Sequence, residues 1–207
     1  MPFITISRMY GSGGSEIAEL VARSLKWTLY DNRMIDAIAE RSGLSRSEVA
    51  ATEERVPSLV ERISGAFTLG TPEAMPAFAG GQSPTTDEEV VAATRRIIED
   101  AVQRGPAVFV GRGAQCLMAE RSDALHVLCH APTPALIAYA ARKLGVAEKD
   151  AEKTVHDMNK QREQYVKRHW NRNWLSPLNY HLSLDTSWFG IERTAEMIGE
   201  AAREKFL

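Results

Sequence analysis

Ser7-Arg8-Met9-Tyr10-Gly11-Ser12-Gly13-Gly14-Ser15 (SRMYGSGGS) decides how this chain is read. It follows the β-branched run Phe3 to Ile6 (FITI) and precedes Glu16 to Leu25 (EIAELVARSL), whose apolar residues recur at helical spacing. Strand, glycine loop and helix in that order bring backbone N–H groups to a helix N-terminus, where unpaired donors and the helix dipole favour a phosphate. A plain tight turn would use the same glycines. The full phosphate-loop signature is G-x-x-x-x-G-K-[ST]. Set against it, Arg8 stands at the first glycine position, Gly14 at the lysine position and Ser15 at the Ser/Thr position, so the glycine and the lysine at two of its four fixed positions are missing.

Outward from this loop, a short strand is predicted at Thr28 to Tyr30, ending in Asp31, and a helix follows from about residue 34 to Gly43. Ser45 with Glu48 makes a capping box. Residues 66–86, rich in Gly, Pro, Ser and Thr, have no period and read as a loop. A helix is predicted from Asp87 to Arg104, strands at AVFV before Gly111 and at residues 125–131, and a helix from Thr133-Pro134 to near Gly145. A long polar helix covers about 147–170, HLSLD at 181–185 is the last strand, and a helix from Gly190 to Phe206 closes the chain. Strands alternating with helices predict a parallel sheet covered on both faces.

The 207 residues are 44% hydrophobic and 25% charged, which suits one main globular domain. A net charge of -2 supplies no global field for nucleic acid or an acidic membrane, so any basic site is local. Cys116 and Cys129 lie in apolar stretches and read as reduced core thiols. Without a basic, apolar leader or a membrane-length apolar run, the expected address is cytoplasmic. The five histidines show no metal-ligand spacing, so no zinc site is assigned.

Ligands of parallel sheets sit at the carboxyl ends of the strands, which directs attention to two further loops and one helix. Gly111-Arg112-Gly113 sets an arginine at the end of a buried strand, where it meets an anion, pairs with an acid such as Asp31, or caps a helix end. The segment 153–172 carries six cations, among them Lys160, Arg162 and Arg168, against Asp157 and Glu163. Helical spacing spreads them over several faces, so the segment is a solvated charged helix or a mobile element bringing two or three cations over a phosphate. Asp31 with Arg33 is a weaker signal, a ligand contact or an ordinary helix cap. Trp170 and Trp174 stack on a base or pack a loop.

Together, ITISRMYGSGGSEIA, the Tyr30-Asp31 pair, VFVGRGAQ, HDMNKQREQYVKRHW and NYHLSLDTSWFGIE resemble the cytidylate kinase-like family of P-loop proteins over nearly the whole chain. The resemblance implies a three-layer α/β/α domain with a parallel five-stranded sheet. Its core would be about residues 1–32, 91–146 and 176–207, its helical monophosphate-binding insert about 33–90 and its basic lid about 147–175. It implies transfer of the γ-phosphoryl group of ATP, with Mg2+ as cofactor, to a nucleoside monophosphate such as CMP or dCMP. Gly11, Ser12, Gly13, Gly14 and Ser15 would surround the ATP phosphates, with the Ser15 hydroxyl on magnesium. Arg8, Lys160, Arg162 and Arg168 would supply the catalytic cations. Asp31, Arg33, Arg112 and Asp157 would face the acceptor, and Ser187 and Trp188 would lie where the ATP base is held. Such a site works by positioning and by neutralising developing charge, so no general base is required.

Two departures stand out. The aspartate that helps read cytosine in true cytidylate kinases is Gly113 here, and the loop lysine is Gly14 with Ser15 after it. The first bears on specificity for CMP; the second motivates another expectation, a nucleotide-binding regulatory protein that kept the kinase fold and is catalytically weak or inactive. A partner-binding protein without nucleotide is a third.

Overall fold

A computed structural model describes residues 1–31 and 87–206. Within them, β1 (Phe3–Arg8), α1 (Gly14–Leu25), β2 (Thr28–Tyr30), α2 (Asp87–Arg104), β3 (Ala107–Val110) and α3 (Ala114–Leu117) are followed by β4 (Ala124–His130), α4 (Thr133–Leu144), α5 (Glu148–Trp170), a 3-10 turn at Pro177–Asn179, β5 (Leu182–Asp185) and α6 (Thr186–Phe206). The five strands form one sheet in the order β2-β3-β1-β4-β5, every neighbouring pair parallel. The predicted helix from about 34 to 43, the capping box at Ser45, the loop at 66–86 and Arg33 lie outside the described residues.

FITI is apolar throughout because β1 is the central strand and both of its faces are covered. Phe3 points to one layer, packing edge-to-face with Phe109 at 5.9 Å over a cluster that includes Ile97, Ile98 and Leu117. Ile4 and Ile6 point to the other, into a cluster with Ile17 and Val21 of α1 and Ile198 of α6. α1 and α6 therefore form one helical layer, and α2 to α5 lie across the opposite face. The result is the expected three-layer α/β/α architecture.

Local chemistry sets the boundaries. α1 begins where Gly13 takes φ 71° and ends where Lys26 turns left-handed at φ 56°; α4 stops at Gly145 with φ 67°. Gly190, at φ 77° and ψ 170°, breaks α6, so a turn over Thr186–Phe189 precedes the predicted final helix. The short helix α3 has too few residues to show a period and was not expected. Cys116 and Cys129 are free and buried, and burial pushes their thiols up to about 11 and about 12. No helix among the described residues is long and apolar enough to cross a membrane.

Candidate active site

The loop after β1 makes a sharp turn that depends on its glycines. Gly11 and Gly13 take φ of 86° and 71°, and a Cβ on Gly11 would lie 2.3 Å from the carbonyl oxygen of Leu136 in α4. Ser12 is buried, and its hydroxyl donates to the Met9 carbonyl at 2.8 Å, so it holds the turn together from inside. The first backbone bond of α1 runs from Ile17 N–H to the Gly13 carbonyl at 3.1 Å. The amides of Gly14, Ser15 and Glu16 thus precede the helical ladder, where a helix offers donors and positive potential to an anion.

These residues line a cavity of about 190 Å³. Its other walls are Arg8, Met9, Tyr10, Tyr139, Lys143 and Arg162. Three cations, Arg8, Lys143 and Arg162, face one acid, Glu16, in a chain whose total charge is -2. Glu16 accepts a hydrogen bond from Tyr139 Oη at 2.8 Å and pairs with Lys143 Nζ. Arg162 donates through Nη1 to the Arg8 carbonyl at 2.6 Å and lies 5.8 Å over the Tyr10 ring. Burial raises the Tyr10 hydroxyl pKa, and the Arg162 charge opposes that rise.

Gly14, at the position where phosphate loops carry lysine, has no room for a side chain. A Cβ there would meet the Cβ of Arg8 at 2.4 Å and its Cγ at 3.0 Å. The stem of Arg8 fills the volume that a loop lysine would need.

The second loop stands beside the first, because β3 pairs with β1. Gly111, Arg112 and Gly113 have φ of 77°, 55° and 62°, three left-handed residues in a row. For Arg112 that conformation costs on the order of 1–2 kcal/mol. Its side chain is 2% exposed and does not reach the wall of the loop cavity. Trp170, at the end of α5, covers the neighbouring glycine; a Cβ on Gly113 would lie 2.2 Å from Trp170 Cη2. Trp170 itself is held edge-on by Tyr165 at 5.5 Å and His169 at 5.6 Å.

Of the residues singled out in the sequence, Arg8, Gly11, Gly13, Gly14, Ser15 and Arg162 converge on this cavity. Ser12 belongs to the same turn but directs its hydroxyl inward. Lys160 lines a second cavity of about 420 Å³ on the far side of Met9, with Glu163 and Trp174. Asp157 and Arg168 are exposed on α5 outside both cavities; Asp157 Oδ1 lies 3.7 Å from His156 Nδ1. Asp31 directly follows β2, which lies two strands from β1. Ser187 donates twice to Asp185 Oδ1, at 2.9 and 2.6 Å, and Trp188 is 83% exposed in the turn before Gly190. The helix after that turn adjoins the loop, since a Cβ on Gly13 would lie 2.1 Å from Ile191 Cδ1.

Four cavity or loop partners were not anticipated: Glu16, Tyr139, Lys143 and Asn159. Tyr139 and Lys143 share a helix face at i, i+4 spacing, a signal visible in sequence. Their common partner Glu16 lies more than a hundred residues away, and Asn159 meets Tyr10 at comparable separation, so nothing local announces either contact.

A model of the cytidylate kinase-like family matches residues 3–188. No curated protein matches. Among solved structures, an uncharacterized protein from Eubacterium ventriosum is similar at a TM-score of 0.71 with 16% identity, covering 98% of this chain and 99% of that one. TT1252 from Thermus thermophilus reaches 0.51 with 17% identity over 97% of each chain. A shikimate kinase from Acinetobacter baumannii reaches 0.49 with 14% identity, over 100% of this chain and 96% of that one. At these identities the first two likenesses speak for the fold alone. The family match spans most of the length and includes both glycine loops and α5, and on it the chain belongs to the cytidylate kinase-like family.

Proposed function

We propose that the protein transfers the γ-phosphoryl group of ATP to a small phosphorylated acceptor, a nucleoside monophosphate such as CMP or dCMP. The observation that carries this reading is the Arg8 stem in the volume a Gly14 side chain would take, within a cavity walled by loop amides and three cations. Phosphoryl transfer needs positioned donors and neutralising charge more than covalent help. Gly11 to Ser15 surround the donor phosphates, with the amides of Gly14 and Ser15 at the helix start offering donors, and Arg8 supplies the charge that a loop lysine would bring. Arg162 and Lys143 approach from α5 and α4. In this reading α5 and its flanks are the lid, seated on both loops, with Lys160 and Arg168 among its cations, and residues about 33–90 are the acceptor insert. Asp31, Arg33, Arg112 and Asp157 face the acceptor, and Ser187 and Trp188 the ATP base.

The residues present fit magnesium held chiefly by the substrate's own phosphate oxygens. Ser15 offers an exposed hydroxyl in the first turn of α1, and among the described residues no group of three or more His, Cys, Asp or Glu side chains could cage a metal. Bound there, the ion would neutralise charge on the transferring group.

ADP formation from MgATP with CMP, dCMP, UMP and AMP tests the reading. The expected result is turnover with at least one monophosphate, reduced about 10²–10³-fold in Arg162→Ala, as for loss of a positioned transition-state donor. Tight ATP binding with no ADP from any acceptor would instead establish the regulatory reading, which Gly14 followed by Ser15 motivates.

A further inference from the structure

α5 grips the phosphate loop by its backbone. Asn159 Oδ1 accepts from the Tyr10 N–H at 2.7 Å, and one turn along Arg162 Nη1 donates to the Arg8 carbonyl at 2.6 Å. One acceptor and one donor thus take the N–H and C=O on either side of Met9, as a neighbouring strand would. Met9 forms part of the wall of both cavities; Arg162 lines the phosphate-loop cavity and Asn159 the larger one behind it. The contact is therefore the partition between the two spaces.

The same helix is fixed a second time, eleven residues on, where Trp170 rests on Gly113 of the other loop. At 1.5 Å per residue the two points are about 16 Å apart. A rod held at two points has a set direction, and these points are the two loops at the carboxyl ends of neighbouring strands β1 and β3. Asn159 is half-buried on a helix with few apolar residues, and a hydrophobic side chain would fill its place as well if packing were its task.

We propose that Asn159 is a positioning residue: by holding the Tyr10 amide it fixes the peptide that enters Gly11, and so keeps the loop amides aimed at a phosphate and in register with the Gly111–Gly113 loop. The proposal rests on the phosphoryl-transfer reading for its use, but the contact itself is testable without turnover.

The experiment compares wild type with Asn159→Leu, Asn159→Ser and Asn159→Asp by amide hydrogen exchange of the nucleotide-free protein and by calorimetric titration with MgATP. Leu and Ser remove the reach to Tyr10; a carboxylate at 159 still accepts from the same N–H. The Tyr10 amide is expected to exchange at least tenfold faster in the Leu and Ser variants and at the wild-type rate in the Asp variant. The MgATP Kd is expected to rise about tenfold in Leu and Ser, the scale of one neutral hydrogen bond. Unchanged exchange at Tyr10 in both Leu and Ser would overturn the contact, and faster exchange with unchanged Kd would overturn the positioning role. Asn159→Ser keeps the test decisive if Asn159→Leu does not fold. Wild type that binds no MgATP would sink the phosphoryl-transfer reading instead, leaving exchange to judge the contact.

Discussion

Arg8 and Gly14 compete for one volume: a Cβ on Gly14 would stand 2.4 Å from the Cβ of Arg8, and neither atom can swing away because each is one bond from its backbone. Gly14 is absent from the residues with positive φ, so the obstacle there is steric and not conformational. Gly14→Ala is expected to cost about 1–3 kcal/mol through overpacking. Arg8→Ala keeps the offending Cβ and leaves most of that cost, whereas Arg8→Gly removes it. Urea midpoints of the two double variants decide the point. If Arg8 stands in for the missing ammonium, Gly14→Lys in the Arg8→Gly background recovers ADP formation over Arg8→Gly alone.

Gly113 and Trp170 form a similar pair at the far end of α5. Gly113→Ala meets both a left-handed φ of 62°, worth about 1–2 kcal/mol, and the Trp170 ring, worth about 1–3 kcal/mol of overpacking. In Trp170→Ala the second cost disappears and the first stays, so the two changes are non-additive, with the double variant more stable than the sum of the singles. Thermal or urea unfolding of the four proteins completes the cycle. Additivity within about 0.5 kcal/mol would mean that the indole does not occupy that space in solution.

The parallel sheet was legible because its signals are local: FITI, AVFV and LHVLCH are continuous apolar runs that only a sheet covered on both faces explains. Both glycine loops were legible for the same reason, each following an apolar strand directly, although the short helix after the second was not. The partners of those loops were not. Arg162 was expected in the site together with Lys160 and Arg168, and no local spacing separates it from Arg168, which is exposed outside both cavities. What selects Arg162 is which face of α5 is turned toward the loop, fixed by the burial of Met158, Tyr165 and Val166. Gly113 was read as a lost carboxylate; that it also seats an indole from 57 positions away depends on a fold-level contact without a local sequence period.

The Glu16–Lys143 pair at the cavity mouth is exposed enough that its removal costs little stability, about 1 kcal/mol or less. Its effect on an anion in the cavity has opposite signs at the two residues. Lys143→Met removes one of three cations and weakens MgATP binding; Glu16→Gln removes the acid, keeps the hydrogen bond from Tyr139, and tightens it. Raising ionic strength reduces both differences, because the groups are partly solvated. Calorimetric titration of the two variants at low and moderate salt reads the signs. A shared direction would place the anion elsewhere.

His126 lies in β4 beside Thr5 of β1; its Nδ1 shares a 2.7 Å hydrogen bond with Thr5 Oγ1 and its ring stacks on His181 at 5.1 Å. Burial chiefly, with the neighbouring His181 charge, holds its pKa down to about 4, against about 6.5 for a free histidine. Burial lowers His181 as well, and its Nδ1 accepts from the His126 backbone N–H at 2.9 Å, a contact that requires the unprotonated nitrogen. Between pH about 6.5 and about 4 the unfolded chain takes up a proton at position 126 that the folded chain refuses. Stability is therefore unaffected by this group above pH about 6.5, falls as the pH drops through that window, and levels off below about 4. The loss from His126 approaches about 3 kcal/mol, at about 1.4 kcal/mol per pKa unit. In His126→Asn the amide oxygen still serves Thr5 and nothing titrates, so urea midpoints fall less steeply from pH 7 to pH 4 than in wild type. Equal slopes in the two proteins would show that His126 is protonated as readily in the folded protein as in the unfolded chain.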